Sequence, residues 1–393
     1  MRRALIIAYT TYIHDGRVKR HAEALAERGD EVDVICLATT PPVIASKVNV
    51  IGIRIPRYRG ASRLNYITSY LRFFTRAATL ATRRTLAQRY DVVMVCTMPD
   101  AAVLCALLPK LLGSAVVLDV HDTMPELYQD KFPGRRGYIG ARLLLLEERA
   151  SALLADRVLA VHEPHQRRLE RAGVAAHKIR TVMNVPDPNL FQWQAESLRF
   201  VQDDDQRRFT VVCHGTLTER LGLEVAFKAI SLVAEQLPRL HLRVIGTGDY
   251  LAHANELVVA MGLTSRVTFH DPVPIERLPA LLREAAVGLV PNHPSGATHL
   301  MLPVKLLEYA MLGIPVVSAR LRTIEHYFDP AAIAYFQPDD PTALARSLSR
   351  LYHDPALRAT LARNAYEIVR ELGRTQRERY YRAIDSLLPE QEA

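Results

Sequence analysis

The sequence has few cysteines, and their positions argue against a metal centre or a disulfide framework. Its 393 residues include four cysteines, Cys36, Cys96, Cys105 and Cys213, which lie far apart and lack the short spacing of metal-ligand pairs. Most of them fall in strand-like or apolar segments, where a cysteine is usually a small buried thiol. We therefore expect free thiols and a reducing compartment, the cytoplasm.

An uninterrupted apolar run is also missing. Residues 101–120 are apolar but are broken by Pro109, Lys110 and Gly113, which argues against a membrane span. Residues 1–9 have the positive charge of a signal peptide but too short an apolar core, so we expect them to form the first buried strand. A hydrophobic content of 49% with 23% charged residues is typical of a soluble globular protein, and the length suits two domains.

Acidic residues are absent from residues 51–90, a segment that contains nine arginines in a chain of net charge +8. The pattern predicts one helix here, in which apolar side chains accompany the arginines: Tyr66, Ile67, Tyr70, Leu71, Phe73, Phe74 and Leu80. Such a helix could lie on an anionic membrane through exposed aromatics, or pack its aromatics in the core and leave its arginines in solvent. Both alternatives are open. No nucleic-acid-binding module accompanies the segment, so we expect no nucleic-acid partner.

The stretch most informative about function is residues 302–318, which predict a short helix followed by a buried strand. Pro303 suits the first helical position, and Gly313 suits a left-handed stop at the end of the helix. Lys305 and Glu308 are three residues apart and share one face near the first turn, where free backbone N–H groups and the helix dipole favour an anion.

This combination suits a nucleoside diphosphate. Lys305 and the backbone N–H groups would bind the phosphates, and Glu308 would accept hydrogen bonds from ribose hydroxyls. The alternative is a solvated Lys–Glu pair on an ordinary helix. A dinucleotide site is disfavoured elsewhere in the chain, because the turn Gly246-Thr247-Gly248 lacks the third glycine of that fingerprint.

The run Pro303-Val304-Lys305-Leu306-Leu307-Glu308-Tyr309, followed by Gly313-Ile314-Pro315-Val316-Val317, resembles the nucleotide-sugar site of family 4 retaining glycosyltransferases. The likeness covers nearly the whole chain. It implies the GT-B fold, an α/β architecture of two Rossmann-like domains facing each other across a cleft. The implied domains are an N-terminal acceptor-side domain at 1–188, completed by a C-terminal helix at 375–393, and a nucleotide-sugar-binding domain at 189–374.

The resemblance also implies the roles of individual residues. His121 follows the predicted strand 115–120 and would face the reacting sugar, whereas Arg220 and Lys305 would stabilise the departing diphosphate. These three are the predicted catalytic residues. The predicted donor-binding residues are Gly16, Gly215, Thr216, Gly246, His270, Ser295, Thr298, His299, Leu302, Pro303, Val304 and Glu308.

One position departs from the family pattern. Many members carry a second glutamate eight residues before the one matched by Glu308, and here that position is Leu300. Because leucine cannot form hydrogen bonds with its side chain, we expect Asn292, Ser295, Thr298 and His299 to contact the sugar hydroxyls instead.

Two further segments have simpler interpretations. His162-Glu163-Pro164-His165 is not followed by other ligands and its spacing is interrupted by proline, so we predict no metal site there and take Glu163 as a helix cap. Residues 138–154 have the periodicity of an amphipathic helix.

We therefore predict a retaining hexosyltransferase with no required cofactor. It would move a sugar from a nucleoside diphosphate donor of the UDP or GDP type to a glycan or polyprenyl-linked acceptor in cell-surface polysaccharide biosynthesis. We expect a cytoplasmic protein, with the 51–90 segment as a candidate contact with the inner face of the membrane. Two alternatives remain open: a GT-B-fold nucleotide-sugar epimerase, and a catalytically silent sugar-nucleotide-binding scaffold.

Overall fold

Two compact units make up the chain. The computed structural model describes residues 1–39, 47–55, 63–97, 99–193 and 208–388, with the backbone alone at 63–67. One unit comprises Met1–Asn184 together with the chain from Thr375 onward, and the other comprises Val185–Arg374. The boundary predicted after residue 188 lies a few residues beyond this division.

The first unit is built on a parallel sheet of seven strands in the order β3-β2-β1-β4-β5-β6-β7. In chain order the strands are β1 (Arg3–Thr11), β2 (Glu31–Leu37), β3 (Asn49–Ile53), β4 (Val92–Cys96), β5 (Ala115–Val120), β6 (Arg157–Ala160) and β7 (Ile179–Thr181). A parallel sheet is covered by helices on both faces, so its central strands are apolar throughout. Strand β4, which is buried at every position, shows this pattern.

The helices of the first unit are α1 (Gly16–Glu27), α2 (Arg63–Ala87), α3 (Leu107–Leu111), α4 (Met124–Lys131), α5 (Arg135–Leu154) and α6 (Glu163–Arg171). A 3₁₀ segment, Asp100–Ala106, leads into α3.

Helix α2 is the helix predicted in the arginine-rich segment. Phe73 is fully buried, and its ring lies 5.1 Å from that of Tyr9, which also stacks on Tyr70 at 4.4 Å. The described aromatics of α2 therefore pack in the core, while Arg72 and Arg76 are exposed. The side chains of Tyr66 and Ile67 lie outside the described residues.

The second unit has a parallel sheet of six strands in the order β10-β9-β8-β11-β12-β13. The strands are β8 (Phe209–His214), β9 (Leu240–Ile245), β10 (Val267–His270), β11 (Val287–Val290), β12 (Val316–Ala319) and β13 (Ile333–Phe336). The helices are α7 (Leu223–Val233), α8 (Leu251–Ala260), α9 (Leu278–Leu282), α10 (Val304–Met311), α11 (Arg322–Tyr327), α12 (Pro341–His353) and α13 (Pro355–Arg374). The strand order reverses between β8 and β11, which is where ligands of open α/β sheets bind.

The last helix, α14 (Gln376–Asp385), belongs to the first unit. Tyr380 is buried there, and its ring lies 4.2 Å from that of His21 on α1. Gln376 accepts a hydrogen bond from the backbone of Met183 at 2.8 Å. The C-terminal segment therefore contributes to the core of the unit that begins the chain.

The cysteines agree with expectation, because all four are buried and unbonded. Among the described residues, no helix has the length and apolar composition needed to cross a membrane.

A buried ion-pair cluster holds α4, α5 and α6 together. Arg168 donates to both carboxylate oxygens of Glu126, at 2.7 and 2.8 Å, and to the fully buried Glu148. Burial raises the pKa of Glu148, and Arg168 opposes this shift. Removing one partner of such a cluster leaves an uncompensated buried charge.

We predict that Arg168→Gln lowers the free energy of unfolding by about 3–5 kcal/mol. The neighbouring Arg167→Gln is the matched control, because Arg167 is exposed and its 3.6 Å pair with Glu163 is worth about 0–1 kcal/mol. Urea denaturation followed by far-ultraviolet circular dichroism measures both. Equal losses in the two variants would contradict the proposed role of the cluster.

Candidate functional site

Helix α10 is positioned by one glycine that ends it and by a second glycine on the strand that it packs against. The helix begins at Val304, one residue later than predicted, because Pro303 is extended and occupies the N-cap. Gly313 has a φ of 71°, which confirms the predicted left-handed stop. On β11, a Cβ at Gly288 would lie 2.3 Å from the Tyr309 ring, so only glycine allows the helix to approach the sheet this closely.

Glu308 is a buried carboxylate fixed by its neighbours. His214, the last residue of β8, lies with Nε2 2.7 Å from Glu308 Oε2, and its Nδ1 lies 2.8 Å from the Tyr309 hydroxyl. The network fits an imidazole that donates from Nε2 to the carboxylate and accepts at Nδ1 from tyrosine. The second oxygen of Glu308 makes no hydrogen bond to any residue that the structure describes, and is available to a ligand.

Two cations, Lys305 and Arg220, lie near each other in this unit. A Cβ at Gly215 would lie 3.6 Å from Lys305 Nζ, which places the ammonium group beside the glycine that follows β8. Neither Lys305 nor Arg220 uses its side chain in a hydrogen bond or ion pair with a described residue. Burial lowers the pKa of Lys305, and nearby Arg220 lowers it further, while Cys213 and Glu308 oppose the shift. An anion placed between these cations would relieve their mutual repulsion.

The predicted glycine turns meet at the carboxyl ends of three strands. Gly215 has a φ of 124° and Gly246 a φ of 147°, and a Cβ at Gly246 would lie 2.0 Å from the Gly215 carbonyl oxygen. The backbone of Gly246 also donates to the carbonyl of His270 at 2.9 Å. Gly215, Thr216, Gly246 and His270 therefore share one edge of the sheet, and Gly215 and Thr216 are exposed there.

The loop before α10 is held by its own side chains. Thr298 is fully buried and donates from its hydroxyl to the carbonyl of His293 at 2.6 Å, and the Ser295 backbone donates to the same hydroxyl at 2.8 Å. His299 Nδ1 accepts from the backbone of Arg322 at 3.3 Å. These residues shape the loop. Asn292 differs, because its buried Oδ1 has no hydrogen-bond partner among the described residues.

The predicted residues His121 and Gly16 belong to the first unit. Gly16 begins α1 and is exposed, next to Asp15, whose side chain caps the helix. Asp119 accepts two hydrogen bonds from Arg17, at 2.9 and 2.6 Å, and lies 2.9 Å from His121 Nε2. This network around Asp119 was not predicted, although its position two residues before His121 puts both at the end of β5.

Neighbouring charges shift the pKa values of Asp119 and His121. Burial would raise the pKa of Asp119, but Arg17 and then His121 hold it well below its usual range. Burial would lower the pKa of His121, but the Asp119 carboxylate outweighs burial and raises it. The raised pKa favours the protonated form of His121, in which Nε2–H donates to Asp119 and Nδ1–H is a second donor.

The same side chains do not suit a metal ion. Ligand atoms of Cys96, Asp119 and His121 lie within 4.8 Å of one another. However, Arg17 already occupies both oxygens of Asp119, and its positive charge opposes a cation. The segment His162-Glu163-Pro164-His165 begins α6. His162 Nδ1 accepts from the backbone of His165 at 3.1 Å, so His162 caps the helix and the predicted cap at Glu163 is wrong.

These features define a doubly wound α/β protein in which Lys305 and exposed glycine backbone lie at one edge of the second sheet. Two family models match the chain: "Glycosyltransferase Family 4" over residues 17–190 and "Glycosyl transferases group 1" over residues 208–354. Together they span most of the sequence. The chain belongs to the family 4 glycosyltransferases, which have the GT-B fold.

Named relatives agree with this assignment over part of their length. The chain is 36% identical over 173 residues to the D-inositol 3-phosphate glycosyltransferase of Salinispora tropica, a match that covers 42% of this chain and 35% of the relative. The match thus spans about a third of that relative's length.

Solved structures share the fold over nearly the whole chain. HepE of Anabaena, crystallised with UDP and glucose, matches with a TM-score of 0.73 at 17% identity and covers 98% of this chain and 99% of its own. The sucrose-phosphate synthase of Thermosynechococcus elongatus matches with a TM-score of 0.78 at 19% identity, covering 98% of this chain and 99% of its own.

We predict that Asp119→Asn lowers the pKa of His121 to below its ordinary value, because burial then acts without the compensating carboxylate. In the unchanged protein His121 stabilises the fold when protonated, and this contribution is lost as pH rises from about 6.5 through the raised pKa. An NMR titration that follows the ring protons of His121 over pH measures this change in pKa, and His299 in the second unit is the control. An unchanged titration of His121 would contradict the proposed coupling.

Proposed function

We propose that this chain is a retaining glycosyltransferase. It transfers a hexose from a UDP or GDP sugar to a glycan or polyprenyl-linked acceptor in cell-surface polysaccharide biosynthesis. Family membership supports the reaction class, and HepE, solved with UDP and glucose, supports a nucleoside diphosphate sugar as donor. The observation that carries the proposal is that Lys305 and half-satisfied Glu308 lie within one turn of α10, with the Lys305 ammonium group beside exposed Gly215.

The second unit would hold the donor. Lys305, Arg220 and the free N–H groups at the start of α10 would bind the diphosphate, and the open oxygen of Glu308 would accept from a ribose hydroxyl. Leu302, Pro303 and Val304 would bring the backbone to the phosphates. Gly215, Thr216, Gly246 and His270 would border the nucleotide along the same sheet edge.

Sugar recognition would use the loop before α10. Leu300 occupies the position of the missing glutamate, and the nearby Asn292 has a buried amide oxygen without a partner. A buried acceptor of this kind is costly unless a ligand satisfies it, so a sugar hydroxyl is a suitable donor. Thr298 and His299 would act by shaping this loop, and Ser295 would contact the sugar at its exposed side.

The transfer would proceed by displacement on one face of the sugar. The bond from the anomeric carbon to the diphosphate breaks, the acceptor hydroxyl oxygen bonds to that carbon from the same face, and the hydroxyl proton passes to the departing phosphate oxygen. Lys305 and Arg220 would stabilise the negative charge that develops on this oxygen. In the first unit, Gly16 would let the protein backbone come close to the donor phosphate or the acceptor, and His121 would donate from Nδ1 to a sugar hydroxyl. The donor carries its own leaving group, so no resident cofactor is proposed.

We predict that one family of nucleotides stabilises the protein against heat. The panel is UDP, GDP, ADP and dTDP with their common sugars, and a ligand at a hundred times its dissociation constant adds about 2.7 kcal/mol. Lys305→Gln and Arg220→Gln should each reduce binding by about 1.5–3 kcal/mol, because each removes a charge-assisted contact to phosphate.

Lys228→Gln is the matched control. Lys228 is an exposed cation of the same unit that pairs with Glu224 at 2.7 Å, so its loss should leave nucleotide binding unchanged. No stabilisation by any nucleotide, or equal stabilisation of all variants, would contradict the donor site. Stabilisation without release of nucleoside diphosphate in the presence of lipid-linked or glycan acceptors would favour the silent binder instead, and turnover of the sugar nucleotide alone would favour the epimerase.

A further inference from the structure

Helix α5 exposes its apolar side and buries its small residues. Its buried positions include Gly137, Ala141, Ser151 and Ala152, and its exposed positions include the large apolar residues Ile139, Leu143, Leu146 and Leu153. An ordinary surface helix has the opposite arrangement. The apolar stripe at this spacing therefore lies on the outside of the first unit.

Close packing explains why the small residues face inward. A Cβ at Gly137 would lie 1.5 Å from the carbonyl oxygen of Phe132, and a Cβ at Gly140 would lie 2.2 Å from the Tyr128 ring. Helix α5 thus approaches α4 along its glycines, and larger side chains at these positions would clash. The inner side of α5 is too close to α4 to hold leucine side chains, so the leucines lie on the exposed side.

A second apolar stretch lies on the neighbouring element. The 3₁₀ segment before α3 packs against α5, and this segment and α3 expose Leu104, Leu107, Leu108, Leu111 and Leu112. Clusters of exposed large apolar residues on elements that pack together often mark a site of interaction with a partner or a membrane. We call the exposed apolar residues of α5 and of Leu104–Leu112 the leucine surface.

The exposed charged residues of helix α5 have one sign. The exposed charged residues of α5 are Arg135, Arg136, Arg142 and Arg149. The two glutamates of the helix face inward, since Glu148 is paired with Arg168 and the carboxylate oxygens of Glu147 are buried. Arg89 at the end of α2 lies next to Gly113, immediately after the exposed leucines of α3. Cations that border exposed leucines complement a negatively charged surface.

We propose that the leucine surface docks this protein on an anionic lipid bilayer. The leucines enter the boundary between headgroups and acyl chains, and the long arginine side chains reach the lipid phosphates. A second copy of the chain is the competing occupant, because the spacing of Ile139, Leu143, Leu146 and Leu153 also suits helix pairing. Pairing two copies of α5 would bring arginine-rich edges together, so charge favours the bilayer. The docking surface is thus α5 with α3, and not the aromatic residues of α2, whose described members lie in the core.

The test is co-sedimentation of the full chain with vesicles. One vesicle type is phosphatidylcholine mixed with phosphatidylglycerol, and the other is phosphatidylcholine alone. We expect binding to the anionic vesicles that weakens as salt is added, because exposed charges are screened. The double substitution Leu143→Ser with Leu146→Ser should reduce this binding by about tenfold or more. Arg135→Gln with Arg142→Gln should remove the preference for anionic vesicles.

Leu232→Ser is the matched control. Leu232 in the second unit is 55% exposed and Leu146 is 58% exposed, so both substitutions remove a similar exposed side chain. The control should bind vesicles as the unchanged protein does. Melting temperatures of all variants, measured without vesicles, show that each protein is folded.

Two outcomes would overturn the proposal. One is equal vesicle binding by the leucine double variant and the control. The other is that the unchanged protein does not bind anionic vesicles and is dimeric by light scattering, whereas the variant with Leu143→Ser and Leu146→Ser is monomeric. That result would assign the surface to a second copy of the chain.

Discussion

The proposed donor site depends on one constraint, the buried carboxylate of Glu308. A carboxylate removed from water is costly unless its oxygens are hydrogen-bonded. His214 satisfies one oxygen at 2.7 Å, and Tyr309 in turn orients His214. Gly288 leaves room for the Tyr309 ring beneath the helix. The arrangement fixes the direction of the carboxylate and leaves its second oxygen for a ligand.

The two units differ in whether the charged side chains of the candidate site are paired. In the first unit, the Asp119 carboxylate accepts from Arg17 and lies 2.9 Å from His121 Nε2, so it offsets one positive charge and orients the His121 ring. In the second unit, Lys305 and Arg220 lie near each other, and neither side chain forms an ion pair with a residue that the structure describes. Unpaired cations beside exposed glycine backbone favour a bound anion. The arrangement of the second unit therefore suits a phosphate ligand, and that of the first suits a fixed hydrogen-bond donor.

Much of this architecture could be predicted from the sequence because it depends on local patterns. The alternation of buried strands with helices, the stop at Gly313 and the placing of Lys305 and Glu308 within one helical turn all follow from short-range spacing. The contact of His214 with Glu308 joins residues 94 positions apart, so it depends on how β8 and α10 are placed in the fold.

Two further features could not be predicted because a pattern does not say which neighbours surround a residue. The periodicity of residues 138–154 indicated an apolar stripe, but the direction of that stripe is set by the glycine contacts of α5 with α4. From the sequence, Thr298 was predicted to contact the sugar, and only the fold shows that its buried hydroxyl donates to the carbonyl of His293.

The most direct test of the central claim is the affinity of UDP compared with 2′-deoxy-UDP, or of the equivalent pair for whichever nucleotide binds. Isothermal titration calorimetry should show that the unchanged protein prefers the ribose form and that Glu308→Gln loses about 1.5–3 kcal/mol of that preference, because the charged acceptor of the ribose hydroxyl is gone. Equal affinities for both nucleotides, or a preference that survives Glu308→Gln, would contradict the assignment of this carboxylate to the donor ribose.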